Sequence, residues 1–145
     1  MTAKGSRESL AHAIDLLEES YELFLAWAAQ GLPGDGAGAS DARVREALER
    51  SSATLEGLAR GFAEHLAERG EATAHGAFLA VLERDAAAAK AVIDLVRAQP
   101  RISSQLVDNL NASVHVRALL TDLFLLDQVL RLTATSREAE APAGS

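Results

Sequence analysis

The sequence V-H-V-R-A-L-L-T-D-L-F-L-L-D-Q-V-L-R-L, residues 114–132, places apolar side chains on nearly every side of a helix. A helix at the surface of a soluble bundle normally has one apolar stripe and one polar face. At about 100° per residue, this stretch instead forms two apolar faces that polar positions separate. The first face comprises Val116, Leu119, Leu120, Leu123, Leu126 and Leu130, and the second comprises Val114, Ala118, Leu125, Val129 and Leu132.

One apolar face is enough to pack this segment against the rest of the chain, so the second face needs a separate cover. Either neighbouring helices of the same chain wrap around it, or it meets a second molecule. We favour the second molecule, because soluble monomers rarely expose large contiguous apolar patches. The simplest partner is a second copy in a twofold homodimer, and another helical protein is the alternative. The sequence therefore predicts a protein interface on the second face.

Length, cysteine content and charge narrow the class of protein. The 145 residues suit one domain with its own hydrophobic core, and the lack of cysteine excludes disulfides and thiolate metal sites. We expect a cytoplasmic protein, because the N-terminus has no apolar run typical of a secretory signal. A net charge of −7 disfavours nucleic acid and anionic membranes as partners. A membrane span is not expected either, since Arg117, Asp122, Asp127 and Arg131 interrupt the apolar segment.

Apolar periodicity predicts four helices, over about residues 6–30, 41–69, 71–98 and 103–134. The glycine-rich segment 31–40 separates the first two, and Ser40 or Asp41 is expected to cap the second. The third helix has its apolar face roughly opposite in phase to that of the second. A turn at Gly70 would correct this mismatch, because glycine accepts the left-handed conformation at a helix end. Ser103 or Ser104 is expected to cap the fourth helix.

The short connections at Gly70 and Pro100 favour antiparallel neighbours, so we predict an all-α, up-and-down antiparallel four-helix bundle over residues 6–134. Residues 1–5 and the polar tail 135–145 are predicted to be disordered. Within the fourth helix the apolar stripe changes direction. Ile102, Leu106 and Leu110 form a narrow stripe that does not continue in line with the faces of 114–132.

Three histidines are the main candidates for chemistry. In an up-and-down bundle His12, His65 and His75 lie toward one end, with glutamates nearby. A di-metal site of the ferritin type needs Glu-x-x-His on two helices, and this chain lacks that pattern. We therefore favour a buried, hydrogen-bonded His75 with two boundary histidines, and we expect no metal and no cofactor. A metal or ligand site at this end is the alternative.

The segment R-G-F-A-E-H, residues 60–65, resembles the Arg-x4-His motif of HEPN-type ribonucleases, which are all-helical and often dimeric. The resemblance covers six residues, and Gly61 stands where that family usually has a polar residue. It implies that Arg60 would steady a phosphate while His65 moves a proton. The stretch R-E-S-L-A-H, residues 7–12, has the same spacing, so the pattern by itself discriminates little.

No motif in the sequence identifies a catalytic residue. We therefore predict a non-enzymatic helical interaction or scaffold protein that acts by homo-oligomerisation or by docking a partner through the last helix. The alternative is an enzyme or ligand-binding bundle that uses the histidine-bearing end, as a metal site or as a ribonuclease with Arg60 and His65.

Overall fold

The computed structural model describes residues 3–34 and 38–140, and these ranges contain helices, turns and no strand. Five helices follow one another in the chain. They are α1 (Ala3–Ala29), α2 (Ala39–Arg69), α3 (Gly76–Arg97), α4 (Ser104–Ala112) and α5 (Val114–Glu140). The predicted all-helical class is confirmed.

The helices enclose one hydrophobic core. α1 packs on α2, α2 packs on α3, and both α1 and α3 pack against α4 and α5. Four side chains from four different helices, Ile14, Leu48, Leu82 and Leu123, have no exposed surface. Every helix except the short α4 contributes at least four buried apolar side chains to this core.

The predicted single helix over 103–134 is wrong, because the chain breaks at Ser113 into α4 and α5. Ser113 has an extended conformation (φ −58°, ψ 130°), and its hydroxyl accepts a hydrogen bond from the backbone N–H of His115 at 3.3 Å. An unbroken helix would leave the stripe of Ile102 and Leu110 roughly 100° out of phase with the inner face of α5. The break corrects that mismatch, and serine favours it by offering the backbone a local hydrogen bond.

The predicted turn at Gly70 is confirmed. Gly70 is left-handed (φ 70°, ψ 25°), and the N–H groups of Gly70 and Glu71 donate to carbonyls of the last turn of α2. The third helix, however, begins at Gly76 rather than at 71. Residues 72–75 form a turn, and His75 becomes the N-cap residue of α3.

The cap predictions have mixed outcomes. Ser103 caps α4 as predicted, with its hydroxyl accepting from the N–H of Leu106 at 3.1 Å. The prediction for α2 is wrong, because the helix already begins at Ala39 and its N-cap residue is Gly38, which has no side chain to accept a bond. Asp41 lies in the first turn instead, where a carboxylate is favourable next to the helix N-terminus.

The helices extend further toward both ends than predicted. α1 starts at Ala3, inside the segment 1–5, and α5 continues to Glu140, inside the segment 135–145. Alanine, glutamate and arginine are good helix formers, and they dominate residues 134–140 despite the polar composition of this segment. Residues 1–2 and 141–145 lie outside the described ranges.

Candidate functional site: the outer face of α5

The two apolar faces of α5 have opposite environments. The six residues of the first face are all buried, with exposed fractions between 0% and 7%. On the second face Val114, Leu125, Val129 and Leu132 are 70%, 56%, 46% and 58% exposed, and Ala118 is half-buried. The helices of the same chain therefore do not wrap around the second face.

The second face belongs to a longer uncharged surface, which we call the outer strip. Thr121 and Gln128 are exposed and occupy the same side of the helix as the apolar residues. The outer strip therefore comprises Val114, Ala118, Thr121, Leu125, Gln128, Val129 and Leu132. Because α5 rises about 1.5 Å per residue, the outer strip is about 27 Å long. These seven side chains are uncharged, and the exposed Arg117 borders them on the side that carries Phe124.

Phe124 is a further exposed apolar side chain next to the outer strip, and helical periodicity assigns it to neither apolar face. It is 57% exposed. At about 100° per residue it falls roughly 80° from the line through Val114 and Leu132, near the polar positions between the two faces. Its size, rather than its periodicity, is the sequence feature that distinguishes it from its neighbours.

An apolar cleft of about 240 Å³ borders the other side of the outer strip. Its walls combine α5 with the end of α2 and the start of α3, and they are formed by Phe62, His75, Phe78, Leu125, Leu126 and Val129. The rings of Phe62 and Phe78 pack edge to face, with centroids 5.7 Å apart and planes at 82°. Histidine is the only polar residue among the six.

The cleft side of α5 is acidic. Asp122 is only 8% exposed, and its carboxyl shares a hydrogen bond with Asp85 of α3. Burial, followed by the bond to Asp85 and by its charge, raises the pKa of Asp122 to about 7. At the rim of the cleft, Glu71 lies 3.7 Å from His75, and a hydrogen bond from Arg69 lowers the pKa of Glu71. Glu71 therefore carries a negative charge at neutral pH.

The opposite side of α5, which carries Phe124, holds both basic and acidic groups. Arg117 is exposed, and Arg131 donates to Asp127 at 3.1 Å on the side that faces α1. Asp127 and Arg131 lie close enough to Glu18 of α1 to influence it electrostatically. Burial first and Asp127 second raise the pKa of Glu18, whereas Arg131 lowers it. The outer strip thus runs between the apolar cleft on one side and a side of mixed charge on the other.

The three candidate histidines differ in their exposure to solvent. His12 and His75 are exposed, whereas His65 is 3% exposed. The prediction of a buried His75 is wrong, because the late start of α3 moves this residue to the N-cap position. Burial lowers the pKa of His65, so its ring is neutral at neutral pH. Within residues 3–34 and 38–140, no three histidine, aspartate or glutamate side chains are arranged to hold a metal ion.

His65 and its two polar partners form a structural contact between α1 and α2. The hydroxyl of Ser6 lies 3.1 Å from Nδ1 of His65 and donates to Glu68 Oε2 at 2.6 Å. Because the hydroxyl has a single proton and donates it to Glu68, it accepts from His65 rather than being activated by it. Arg60 is exposed while His65 is buried, so the motif residues of 60–65 do not share an accessible surface.

Comparisons outside the chain give no functional lead. No protein-family model, curated protein or solved structure matches it. Among the described residues, no helix combines the length and the apolar character needed to cross a membrane. Its function must therefore be inferred from its own residues.

Proposed function

We propose that this chain is a non-enzymatic helical interaction protein that works by associating with a second copy through the outer strip of α5. The observation that carries the proposal is the contrast between the two faces of one helix. The inner face already completes the core, yet the outer strip keeps four large apolar side chains about half exposed or more. Removing apolar surface from water is worth about 25 cal/mol per Å², so covering this strip is favourable.

The absence of charge on the outer strip supports a second copy as the partner. Two chains that each carry a net charge of −7 repel one another at long range. An uncharged strip lets them meet without burying an unpaired charge, which would cost several kcal/mol per ion. Two identical apolar strips satisfy each other, as a twofold interface requires of one surface on both subunits.

The proposal includes an up-and-down four-helix bundle in which α4 and α5 together form the fourth leg. Hydrogen bonds at the two ends of α1 support this arrangement. Ser6 near the start of α1 contacts His65 near the end of α2, and Leu32 just after α1 exchanges hydrogen bonds with Ser104 at the start of α4. A cytoplasmic location also belongs to the proposal, and the cysteine-free composition is compatible with it.

Sedimentation equilibrium tests the proposal directly. The unaltered chain should sediment as a dimer at micromolar concentration. The double variant Leu125→Glu, Val129→Glu should sediment as a monomer with unchanged helical circular dichroism, because pairing would then bury four carboxylates. Leu95→Glu is the matched control, since Leu95 is 65% exposed on α3 and lies outside the outer strip.

Two results would contradict the proposal. A monomeric unaltered chain at high micromolar concentration would show that the outer strip does not cause self-association. Equal dissociation by Leu95→Glu and by the double variant would show that added charge, rather than loss of this surface, separates the copies.

A further inference from the structure

We infer that the two copies pair with their α5 helices parallel, so that Phe124 of each copy inserts into the apolar cleft of the other. This inference rests on the proposed self-association and specifies which residues meet. It also assigns an occupant to the cleft lined by Phe62, Phe78 and Val129.

Phe124 and the cleft lie on opposite sides of the outer strip and at the same level along α5. Measured from the line through Val114 and Leu132, Phe124 points about 80° to one side and Val129 about 60° to the other. Leu125, which directly follows Phe124 in the chain, is itself part of the cleft wall. One helix thus carries an exposed aromatic side chain and an apolar cleft that are separated only by the neutral strip.

Twofold symmetry decides which sides of the two helices meet. In a parallel pair the twofold axis runs along the helices, so the Phe124 side of each copy faces the cleft side of the other at the same level. In an antiparallel pair the axis is perpendicular to both helices, and it brings the two Phe124 sides together and the two clefts together. Only the parallel pair fills both clefts.

The size and lining of the cleft suit a phenyl ring. An apolar cavity of about 150 Å³ is enough to bind benzene, and this cleft measures about 240 Å³. The edge-to-face rings of Phe62 and Phe78 offer further aromatic contacts to an entering ring. A buried aromatic anchor in a pocket is the usual centre of binding energy in a protein interface.

Single introduced cysteines report the relative direction of the helices, since the chain has no cysteine of its own. Positions 121 and 132 are eleven residues apart, or about 16 Å along α5. In a parallel pair each position lies opposite the same position of the other copy. Thr121→Cys and Leu132→Cys should therefore each form a disulfide-linked dimer. In an antiparallel pair, at most one of these two positions lies near the same position of the other copy. Crosslinking at only one position, or at neither, would overturn the inference, with Leu95→Cys as the uncrosslinked control.

Phe124→Ala tests the aromatic contact. It should raise the dissociation constant of the dimer at least about tenfold, as expected for an aromatic anchor, while leaving the helical content unchanged. Leu95→Ala should leave the constant unchanged. A dimer that Phe124→Ala does not weaken would overturn the inference but leave the proposed function intact, whereas a monomeric unaltered chain would refute the proposed function itself.

Mixing two defective variants gives an independent result. Val129→Trp should block the cleft from within, so that homodimers of this variant are weak. A mixed dimer with Phe124→Ala keeps one intact contact, because the open cleft of the alanine variant receives the unaltered Phe124 of the tryptophan variant. The mixture should therefore form more dimer than either variant alone. Equal or lower dimerisation in the mixture would contradict parallel insertion.

Discussion

Replacing Asp122 with asparagine tests the electrostatics of the contact between α3 and α5. The carboxyl of Asp122 is buried against that of Asp85, and its Oδ2 atom has no hydrogen-bond partner. Two carboxyl groups that share a hydrogen bond must hold a proton, so the contact is stable only while that proton remains. Asparagine has nearly the same shape and no charge. Asp122→Asn should therefore remove the pH dependence of this contact without leaving a cavity.

The magnitude follows from the pKa of Asp122. Folding raises it from its ordinary value of 3.8 to about 7. Because the folded-state value is higher, the folded state binds the proton more tightly. The contribution of Asp122 to the free energy of unfolding is therefore fully present below about pH 4, and it is lost as the pH rises through about 7. At about 1.4 kcal/mol per pKa unit, the loss has an upper limit of about 4 kcal/mol. We expect about 1–3 kcal/mol, because the two carboxylates can separate and become hydrated.

Urea unfolding at a series of pH values from about 4 to about 8.5 measures this difference. The free energy of unfolding of Asp122→Asn should match that of the unaltered chain at the acidic end and exceed it by about 1–3 kcal/mol at the alkaline end. Protein concentration must be held constant, since self-association contributes to apparent stability. Asp127→Asn is the control, because Asp127 pairs with Arg131 on the other side of α5.

Either of two results would refute this account of the α3–α5 contact. If Asp122→Asn were less stable than the unaltered chain at alkaline pH, or differed from it equally at all pH values, the buried pair would not hold a shared proton. Contributions from His65 and Glu18 cancel in the comparison, because both groups are present in both proteins.

Two further pairs of variants test the packing. Gly34→Ala should destabilise the chain by about 3 kcal/mol or more, because Gly34 has φ +70° and an added Cβ would lie 2.6 Å from the backbone of Ile102. Gly31→Ala should cost only about 1–2 kcal/mol in the same urea titration, since Gly31 has φ +65° but open space around it. Leu123→Ala should lower the free energy of unfolding by about 2–5 kcal/mol, because Leu123 is fully buried. Leu125→Ala should instead weaken the dimer. At protein concentrations where the chain is monomeric, it should change the free energy of unfolding by less than about 1 kcal/mol. Equal effects of the two leucine variants on unfolding would contradict the division of α5 into two faces.

Much of the helical framework was predictable from periodicity and a few punctuating residues. The opposite phases of α2 and α3 require a turn, and Gly70 adopts it in the predicted left-handed conformation. Ser103 caps α4 because a serine hydroxyl placed before a helix can accept an unpaired backbone N–H. The boundaries at Ala39, Gly76 and Ser113 were missed, since several starting points satisfy the same local propensities.

The change of apolar direction between α4 and α5 was visible in the sequence, but the break that resolves it was not. A helix can adapt to such a change by curving, by exposing part of one face or by breaking. Ser113 allows the break because its hydroxyl bonds locally, yet serine occurs within many continuous helices. The choice depends on how α1 and α3 pack against both segments.

The contacts at the candidate site depend on residues that lie far apart in the chain. Asp85 and Asp122 meet across α3 and α5, and Ser6 meets His65 across 59 positions. The cleft beside Val129 needs the end of α2, the start of α3 and the middle of α5 to converge at one level. Local sequence patterns do not determine which remote residues meet. Periodicity therefore predicted the buried histidine at His75, whereas the buried histidine is His65.

Helical periodicity alone determined that α5 has two apolar sides, because the angle between successive residues depends only on local backbone geometry. The packing of the helices decided which of these sides the core covers. It also placed the other side between an apolar cleft and an exposed Phe124. The physical reason is that burial and electrostatic environment depend on neighbours in space, and those neighbours come from distant parts of the chain.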